Sequence, residues 1–197
     1  MTAKNTIYYE AYGNLYLNIT NRCSANCIFC IRDISDGVYG YNLRLSYEPT
    51  VNEIISELEP LDLSKFKEVV FTGFGEPTIR LDELLGIIHW LHERNVTVRL
   101  DTNGHANLIH PGRDVVSELK EAGLSAVSVS LNAGSEELYN ELCRPVHDNS
   151  YQAMLDFTKA ALGIGMRTRM TVVSMPEVDI GKCERIAHDI GADFHVR

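Results

Sequence analysis

The hydrophobic pattern of the chain alternates between strand-like and helix-like segments. Short runs of alternating or continuous apolar residues predict strands at 14–20, 68–72, 96–102, 126–131, 167–173 and 194–196. Apolar residues return at helical spacing at 50–59, 81–94, 114–122, 150–162 and 179–190. Strands that alternate with helices pair in parallel through right-handed crossovers. The pattern therefore predicts an α/β fold, with residues 1–197 as a single domain.

Chain length limits how far such a sheet can close. A closed eight-stranded barrel normally takes about 250 residues, and this chain has 197. An open sheet or a partial (β/α)6 barrel of the TIM type is expected, with one edge left open after the sixth strand. In both architectures the chemistry lies at the C-terminal ends of the strands.

Composition narrows the possible partners. The 27 acidic and 18 basic side chains give a formal net charge of −9, which disfavours nucleic acid as the main partner. No apolar run reaches the roughly 18 residues of a membrane helix, and the first residues lack the apolar core of a signal peptide. Five cysteines, three of them within eight residues, argue against a disulfide scaffold. We expect a cytoplasmic protein whose cysteines are free to bind metal.

Three cysteines occupy the loop at about 21–35, directly after the first strand. Cys23, Cys27 and Cys30 are separated by three and two residues, gaps short enough for one loop to surround a compact metal centre. Thiolates are the usual ligands of iron–sulfur clusters, and a [4Fe-4S] cluster has four irons. Three thiolates leave one iron open, and an open position is what makes a metal site reactive.

Other interpretations of these cysteines remain. A zinc site or a fully ligated electron-transfer cluster needs a fourth ligand. One of the two remaining cysteines, Cys143 or Cys183, would supply it if the fold brings that residue to the loop. The three cysteines are also compatible with plain burial or redox activity.

The ends of the next strands carry glycine and short polar side chains. Gly73-Phe74-Gly75-Glu76-Pro77 follows the second strand, and Thr78 stands where a dinucleotide fingerprint needs a third glycine. Thr102 and Asn103 end the third strand, while Ser130 and Asn132 lie on the polar side of the fourth. Such side chains on a buried strand need hydrogen-bond partners. They predict either a satisfied polar layer or the wall of a binding site.

Taken together, these motifs resemble the radical S-adenosylmethionine (radical SAM) superfamily over essentially the whole chain, most closely its small TatD-associated proteins. The resemblance implies a [4Fe-4S] cluster on the three cysteines and SAM bound to the open iron. Phe74 replaces the first glycine of the family's Gly-Gly-Glu-Pro motif. The positions that match or adjoin the family's SAM contacts are Phe29, Gly75, Glu76, Thr102, Asn103, Ser130 and Asn132.

Two further residues are candidates for the same site. Arg169, on the fifth strand, would pair with a SAM or substrate carboxylate if it faces inward, and Cys143 would be a hydrogen donor if it is not simply buried. The resemblance implies an unidentified small-molecule or peptide substrate and an electron donor such as flavodoxin or ferredoxin. The alternatives are a 7-carboxy-7-deazaguanine-synthase-like enzyme, a glycyl-radical-activating enzyme, and a non-catalytic iron–sulfur or zinc binding protein.

Overall fold

The computed structural model describes residues 5–197. Its strands are β1 (Tyr8–Ala11), β2 (Asn14–Asn18), β3 (Gly37–Val38), β4 (Tyr41–Asn42), β5 (Val69–Thr72), β6 (Val98–Thr102), β7 (Ala126–Ser130), β8 (Arg167–Val172) and β9 (Asp193–Val196). Its α-helices are α1 (Ile31–Ile34), α2 (Val51–Leu58), α3 (Leu81–His92), α4 (Ala106–Ile109), α5 (Val115–Glu121), α6 (Glu136–Cys143), α7 (Ser150–Gly163) and α8 (Ile180–Ile190). Two short 3-10 helices span Leu63–Lys65 and Pro77–Arg80.

Seven strands form one sheet in the order β1-β2-β5-β6-β7-β8-β9. The six strands from β2 to β9 are parallel and follow the chain order, and β1 pairs antiparallel with β2 at the edge. Helices connect the parallel strands, as right-handed crossovers require. The predicted α/β class and the six predicted strands are confirmed.

The outer face of the sheet packs against the helices. We use this name for the buried apolar side chains Leu15, Leu17, Val69, Phe71, Val98, Leu100, Val127, Val129, Met170 and Val172. They share one core with helix residues such as Leu84 and Phe157. Full burial of each such side chain contributes about 1.5–3 kcal/mol, so this layer is the main source of stability.

The inner face is polar and curves around a hollow. We use this name for Thr72, Arg99, Asp101, Ser128, Ser130, Arg169 and Thr171, which occupy the opposite side of the same strands because side chains alternate along a strand. Thr72, Asp101 and Ser130 belong to three different strands yet line one pocket. Cys23, which follows β2, and Arg197, which follows β9, line the same pocket although four strands separate β2 from β9 in the sheet. The sheet is therefore curved into a partial barrel.

The sequence did not predict β1, β3, β4, α1, α4, α6 or the two 3-10 helices. Two of these elements, β1 and α6, have a signal in the sequence. Strand β1 forms a hairpin with β2 through Tyr12 and Gly13, whose φ angles of 53° and 77° suit a two-residue hairpin turn. Ser135 is the N-cap of helix α6, and its hydroxyl accepts a hydrogen bond from Leu138 N at 3.4 Å. A turn glycine and a serine cap were the signals available for both.

Among residues 5–197, no helix is long and apolar enough to cross a membrane. The capping box predicted for α2 is present, because Glu53 N donates to Thr50 Oγ1 at 3.3 Å and Thr50 N donates to Glu53 Oε2 at 2.7 Å.

Candidate functional site

The cysteine loop is held against the end of α6 by backbone hydrogen bonds. Ile28 N donates to Leu142 O at 2.9 Å, and Asn26 N donates to Cys143 O at 3.1 Å. From the other side, Val146 N donates to Ser24 O at 2.9 Å. These bonds fix the loop to a helix that follows β7, so the loop has a defined position at the C-terminal end of the sheet.

Arg32 stabilises the same loop from α1. Its guanidinium donates to Asn21 O at 2.9 Å, to Ala25 O at 3.3 Å and to Cys30 Sγ at 3.2 Å. Arg32 therefore holds the loop together and places a positive charge beside Cys30 Sγ.

Four cysteines line a single pocket of about 290 Å³: Cys23, Cys27, Cys30 and Cys143. Cys27 hydrogen bonds to Cys143, which raises the pKa of Cys27 and lowers that of Cys143. Burial raises the pKa of Cys23 to about 12, so its thiol is protonated in the metal-free protein and releases a proton when metal binds. Cys183 is buried in the core and does not line this pocket.

The glycine turn after β5 depends on its missing side chains. A Cβ at Gly75 would lie 2.4 Å from Arg22 O and 2.5 Å from Thr20 O, at the start of the cysteine loop. A Cβ at Gly73, where φ is 103°, would lie 2.2 Å from Asn18 Oδ1. The turn can therefore approach the loop only as glycine. Phe74 is buried with Tyr9 and Leu43, away from the pocket, so its departure from the family motif leaves the pocket wall unchanged.

Glu76 is a buried carboxylate surrounded by donors. Oε1 accepts hydrogen bonds from Thr78 N at 3.1 Å, Thr78 Oγ1 at 2.8 Å and Thr102 Oγ1 at 2.9 Å, and Oε2 accepts one from Asn103 N at 2.7 Å. Burial raises its pKa despite these bonds. Within residues 5–197, no Lys or Arg side chain pairs with it. A cationic group in the pocket would offset the cost of its charge.

A chain of polar groups joins the cysteine loop to the pocket wall. Asn103 Nδ2 donates to Ser24 Oγ at 2.9 Å, Ser24 Oγ lies 3.0 Å from His105 Nδ1, and His105 Nε2 lies 2.7 Å from Tyr139 Oη. Burial lowers the pKa of His105 to about 4, so the ring is neutral at pH 7. If Ser24 donates to Nδ1, His105 donates to Tyr139, and the Tyr139 hydroxyl hydrogen is then available to the pocket it lines.

Eleven of the twelve residues singled out from the sequence lie on this pocket. They are Cys23, Cys27, Phe29, Cys30, Gly75, Glu76, Thr102, Asn103, Ser130, Asn132 and Cys143. Arg169 faces the inner side of the sheet, but it lines a separate hollow with Glu68 and Arg99. Arg197, which follows β9, is the arginine that reaches the pocket with the cysteines.

Eight residues of the pocket wall are outside the set of predicted site residues. Four of them carry polar side chains: Thr72, Asp101, Tyr139 and Arg197. Asp101 could have been identified from the sequence, because the alternation of side chains along the predicted third strand places it on the face opposite Leu100. Tyr139 belongs to the unpredicted helix α6, and Arg197 stands one residue beyond β9, so neither had a local signal.

Two features of this pocket suit the iron–sulfur cluster and the SAM that the resemblance implies. Asn132 Nδ2 donates to Cys143 Sγ at 3.6 Å, while Asn132 Oδ1 is buried without a partner among the described residues. A buried oxygen without a donor and a buried carboxylate without a cation both suit a ligand that carries amine and hydroxyl groups. The three loop thiols, soft donors on one loop, suit an iron–sulfur cluster.

Comparison with known proteins places this site in a family. The family model described as the Radical SAM superfamily matches residues 17–190. The probable GTP 3′,8-cyclase of Aeropyrum pernix is 29% identical over 95% of this chain and 52% of its own length. The GTP 3′,8-cyclase of Petrotoga mobilis is 28% identical over 96% of this chain and 56% of its own length. The chain thus spans about half the length of these curated relatives.

Solved structures show the same fold. Streptococcus suis SuiB bound to S-adenosylmethionine matches with a TM-score of 0.71 at 18% identity, over 93% of this chain and 40% of SuiB. Methylornithine synthase (PylB) matches with a TM-score of 0.69 at 17% identity, over 93% of this chain and 52% of that protein. Identities this low establish the fold alone, a partial barrel of the TIM type, whereas the family model covers most of the chain. This chain belongs to the radical SAM superfamily, whose cofactors are a [4Fe-4S] cluster and SAM.

Proposed function

We propose that residues 1–197 form a single radical SAM core domain that binds a [4Fe-4S] cluster through Cys23, Cys27 and Cys30. With one electron from a donor such as flavodoxin or ferredoxin, the bound cluster would supply reductive cleavage of SAM to methionine and a 5′-deoxyadenosyl radical, which takes hydrogen from a substrate. The observation that carries the proposal is the convergence of the three loop cysteines and the strand-end polar residues on one pocket.

The pocket wall gives each residue a role toward SAM. Glu76 would offset the charge of the methionine amine, and the turn at Gly75 lets backbone groups approach it closely. Asn132 Oδ1, unpartnered in the described residues, would accept a hydrogen bond from SAM. Phe29 would contact the adenine, and Thr102, Asn103 and Ser130 would complete the wall.

The substrate is a small molecule or a peptide. The two relatives named above are called GTP cyclases, and SuiB has been solved with a precursor peptide, so the family accommodates both classes. We retain the small TatD-associated proteins as the proposed subfamily, with the 7-carboxy-7-deazaguanine-synthase-like and glycyl-radical-activating reactions as the alternatives. The five free cysteines support a cytoplasmic location as part of the proposal.

Anaerobic reconstitution tests the proposal. After iron and sulfide are counted, the cluster is reduced, SAM is added and 5′-deoxyadenosine is assayed. Cys27→Ala should lose the cluster and all product, because two thiolates cannot hold the cube. Cys183→Ala is the matched control: its thiol lies outside the pocket, so iron content and product should be retained. A fully loaded and reduced cluster that forms no 5′-deoxyadenosine would contradict the proposal.

A second candidate function, a metal centre with four protein ligands, is favoured by the contact between Cys143 and Cys27. Cys143→Ala separates the two functions. In a four-thiol centre this variant loses its metal as Cys27→Ala does. In the radical SAM protein it keeps the cluster, and loss of substrate product with continued formation of 5′-deoxyadenosine would identify Cys143 as the hydrogen donor.

A further inference from the structure

Two arginines on the polar side of the barrel have only hydroxyl groups as partners. Arg169 Nε donates to Ser128 Oγ. Arg197 Nη2 donates to Ser130 Oγ at 3.0 Å and also to Thr171 Oγ1. Neither guanidinium forms an ion pair with any residue in the range 5–197. A hydroxyl orients a guanidinium but does not neutralise it, so the positive charge of Arg197 remains available to a ligand in the pocket.

Two acidic side chains on the inner side of the barrel, Glu68 and Asp101, are already engaged by another arginine. Arg99 Nε donates to Glu68 Oε1 at 2.8 Å, and Arg99 Nη1 donates to Asp101 Oδ1. Arg99 is therefore the inner-face arginine with acidic partners. Asp193, which is opposite Arg169 in the ladder between β8 and β9, lines the hollow of Arg169 but not the pocket of Arg197. Among residues 5–197, Arg197 is therefore the one basic side chain that lines the cysteine pocket, and its guanidinium has no acidic partner there.

Of the two arginines, Arg197 is the one that a substrate in the cysteine pocket could contact. It lines the same pocket as the cysteines, Ser130 and Asn132. Burial, with repulsion from Arg169 and Arg99, lowers its pKa, and Asp101 only partly opposes this effect. An anion beside Arg197 would relieve that repulsion. Its planar fork also suits the two oxygens of a carboxylate or phosphate.

We propose that Arg197, oriented by Ser130 and Thr171, binds an anionic group of the substrate, a carboxylate or a phosphate, in the pocket that it shares with the cysteines. This inference deepens the proposed function, because it names the substrate class of the same site.

Direct binding to the reconstituted protein tests the inference. Inorganic phosphate and succinate are titrated calorimetrically, with chloride at matched ionic strength as the reference. Arg197→Gln should weaken binding of the preferred anion by about tenfold or more, the loss expected for charge-assisted hydrogen bonds. Arg197→Lys keeps the positive charge but not the two-pronged guanidinium. Its anion affinity should lie between those of the unchanged protein and Arg197→Gln. Arg185→Gln, an exposed change on α8, removes equal charge and should bind as the unchanged protein does.

The outcomes separate this inference from the proposed function. A preference for phosphate supports a phosphorylated substrate, and a preference for succinate supports a carboxylate. No binding of either anion overturns the inference, as does equal binding by the unchanged protein and Arg197→Gln. Equal weakening of SAM binding in Arg197→Gln also overturns it, because the arginine would then serve the SAM carboxylate. Anion binding without SAM cleavage would keep the site and reject the proposed function instead.

Discussion

On the outer face of the sheet, Phe71 and Leu100 are fully buried against helices, whereas the next residues on the same strands, Thr72 and Asp101, line the pocket. One strand thus supplies both stability and recognition, because its side chains alternate. The outer face stabilises the fold by burying apolar surface. The inner face consists largely of polar and charged groups that do not fully satisfy one another's hydrogen bonds and charges. The two faces should therefore respond differently to equally small changes.

Truncation on each face gives the largest expected difference. Phe71→Ala should lower the free energy of unfolding by about 3–5 kcal/mol, because it leaves a cavity in the helix-packed core. Ser128→Ala, on the inner face, removes one hydrogen bond to Arg169 and should cost about 1 kcal/mol. Denaturant unfolding of the two variants measures both values. Equal losses would show that the inner face contributes as much stability as the outer face.

The outer face and the strands were predictable from the sequence, whereas many contacts of the inner face and the pocket were not. The spacing of apolar residues, with glycines at the ends of elements, predicted all six parallel strands. The spacing of Cys23, Cys27 and Cys30 was enough to predict them as metal ligands. Ser130 was predicted correctly as an inward residue of an alternating strand. The hydrogen-bonded chain from Asn103 through Ser24 to His105 joins residues about 80 positions apart, and no local pattern encodes such a distance. Arg197 was missed for the same reason, because its partners lie on β7 and β8.

His105 makes stability depend on pH. Its pKa is about 4 in the folded protein, against an ordinary value of 6.5. Between these values the unfolded chain binds a proton that the folded chain excludes, so stability is fully present above pH 6.5 and falls as pH decreases toward 4. The shift corresponds to a loss of up to about 3 kcal/mol. Unfolding free energies measured at pH 7 and pH 4.5 give the slope.

His105→Gln isolates the imidazole from other titrating groups. Glu76, whose pKa is raised, contributes in the opposite sense, because it gains a proton in the folded protein at higher pH than in the unfolded chain. Glu76 is present in both proteins, so the difference between their pH curves reports His105. Identical slopes for the two proteins would contradict the neutral, buried ring.

Glu76→Gln tests whether an inner polar group serves a ligand or only its neighbours. The amide would place its NH2 group against the Asn103 N–H, a donor against a donor, and would remove the charge that faces the pocket. If Glu76 holds the SAM amine, SAM binding should weaken by about 10- to 100-fold, the equivalent of roughly 1.5–3 kcal/mol for a charged hydrogen bond. Glu118→Gln, which changes a carboxylate paired with Arg113 far from the pocket lining, is the control for charge. Equilibrium SAM binding, with iron content confirmed in each variant, measures the effect. Unchanged SAM affinity in Glu76→Gln, accompanied by a lower melting temperature, would assign the carboxylate to the strand-end turn alone.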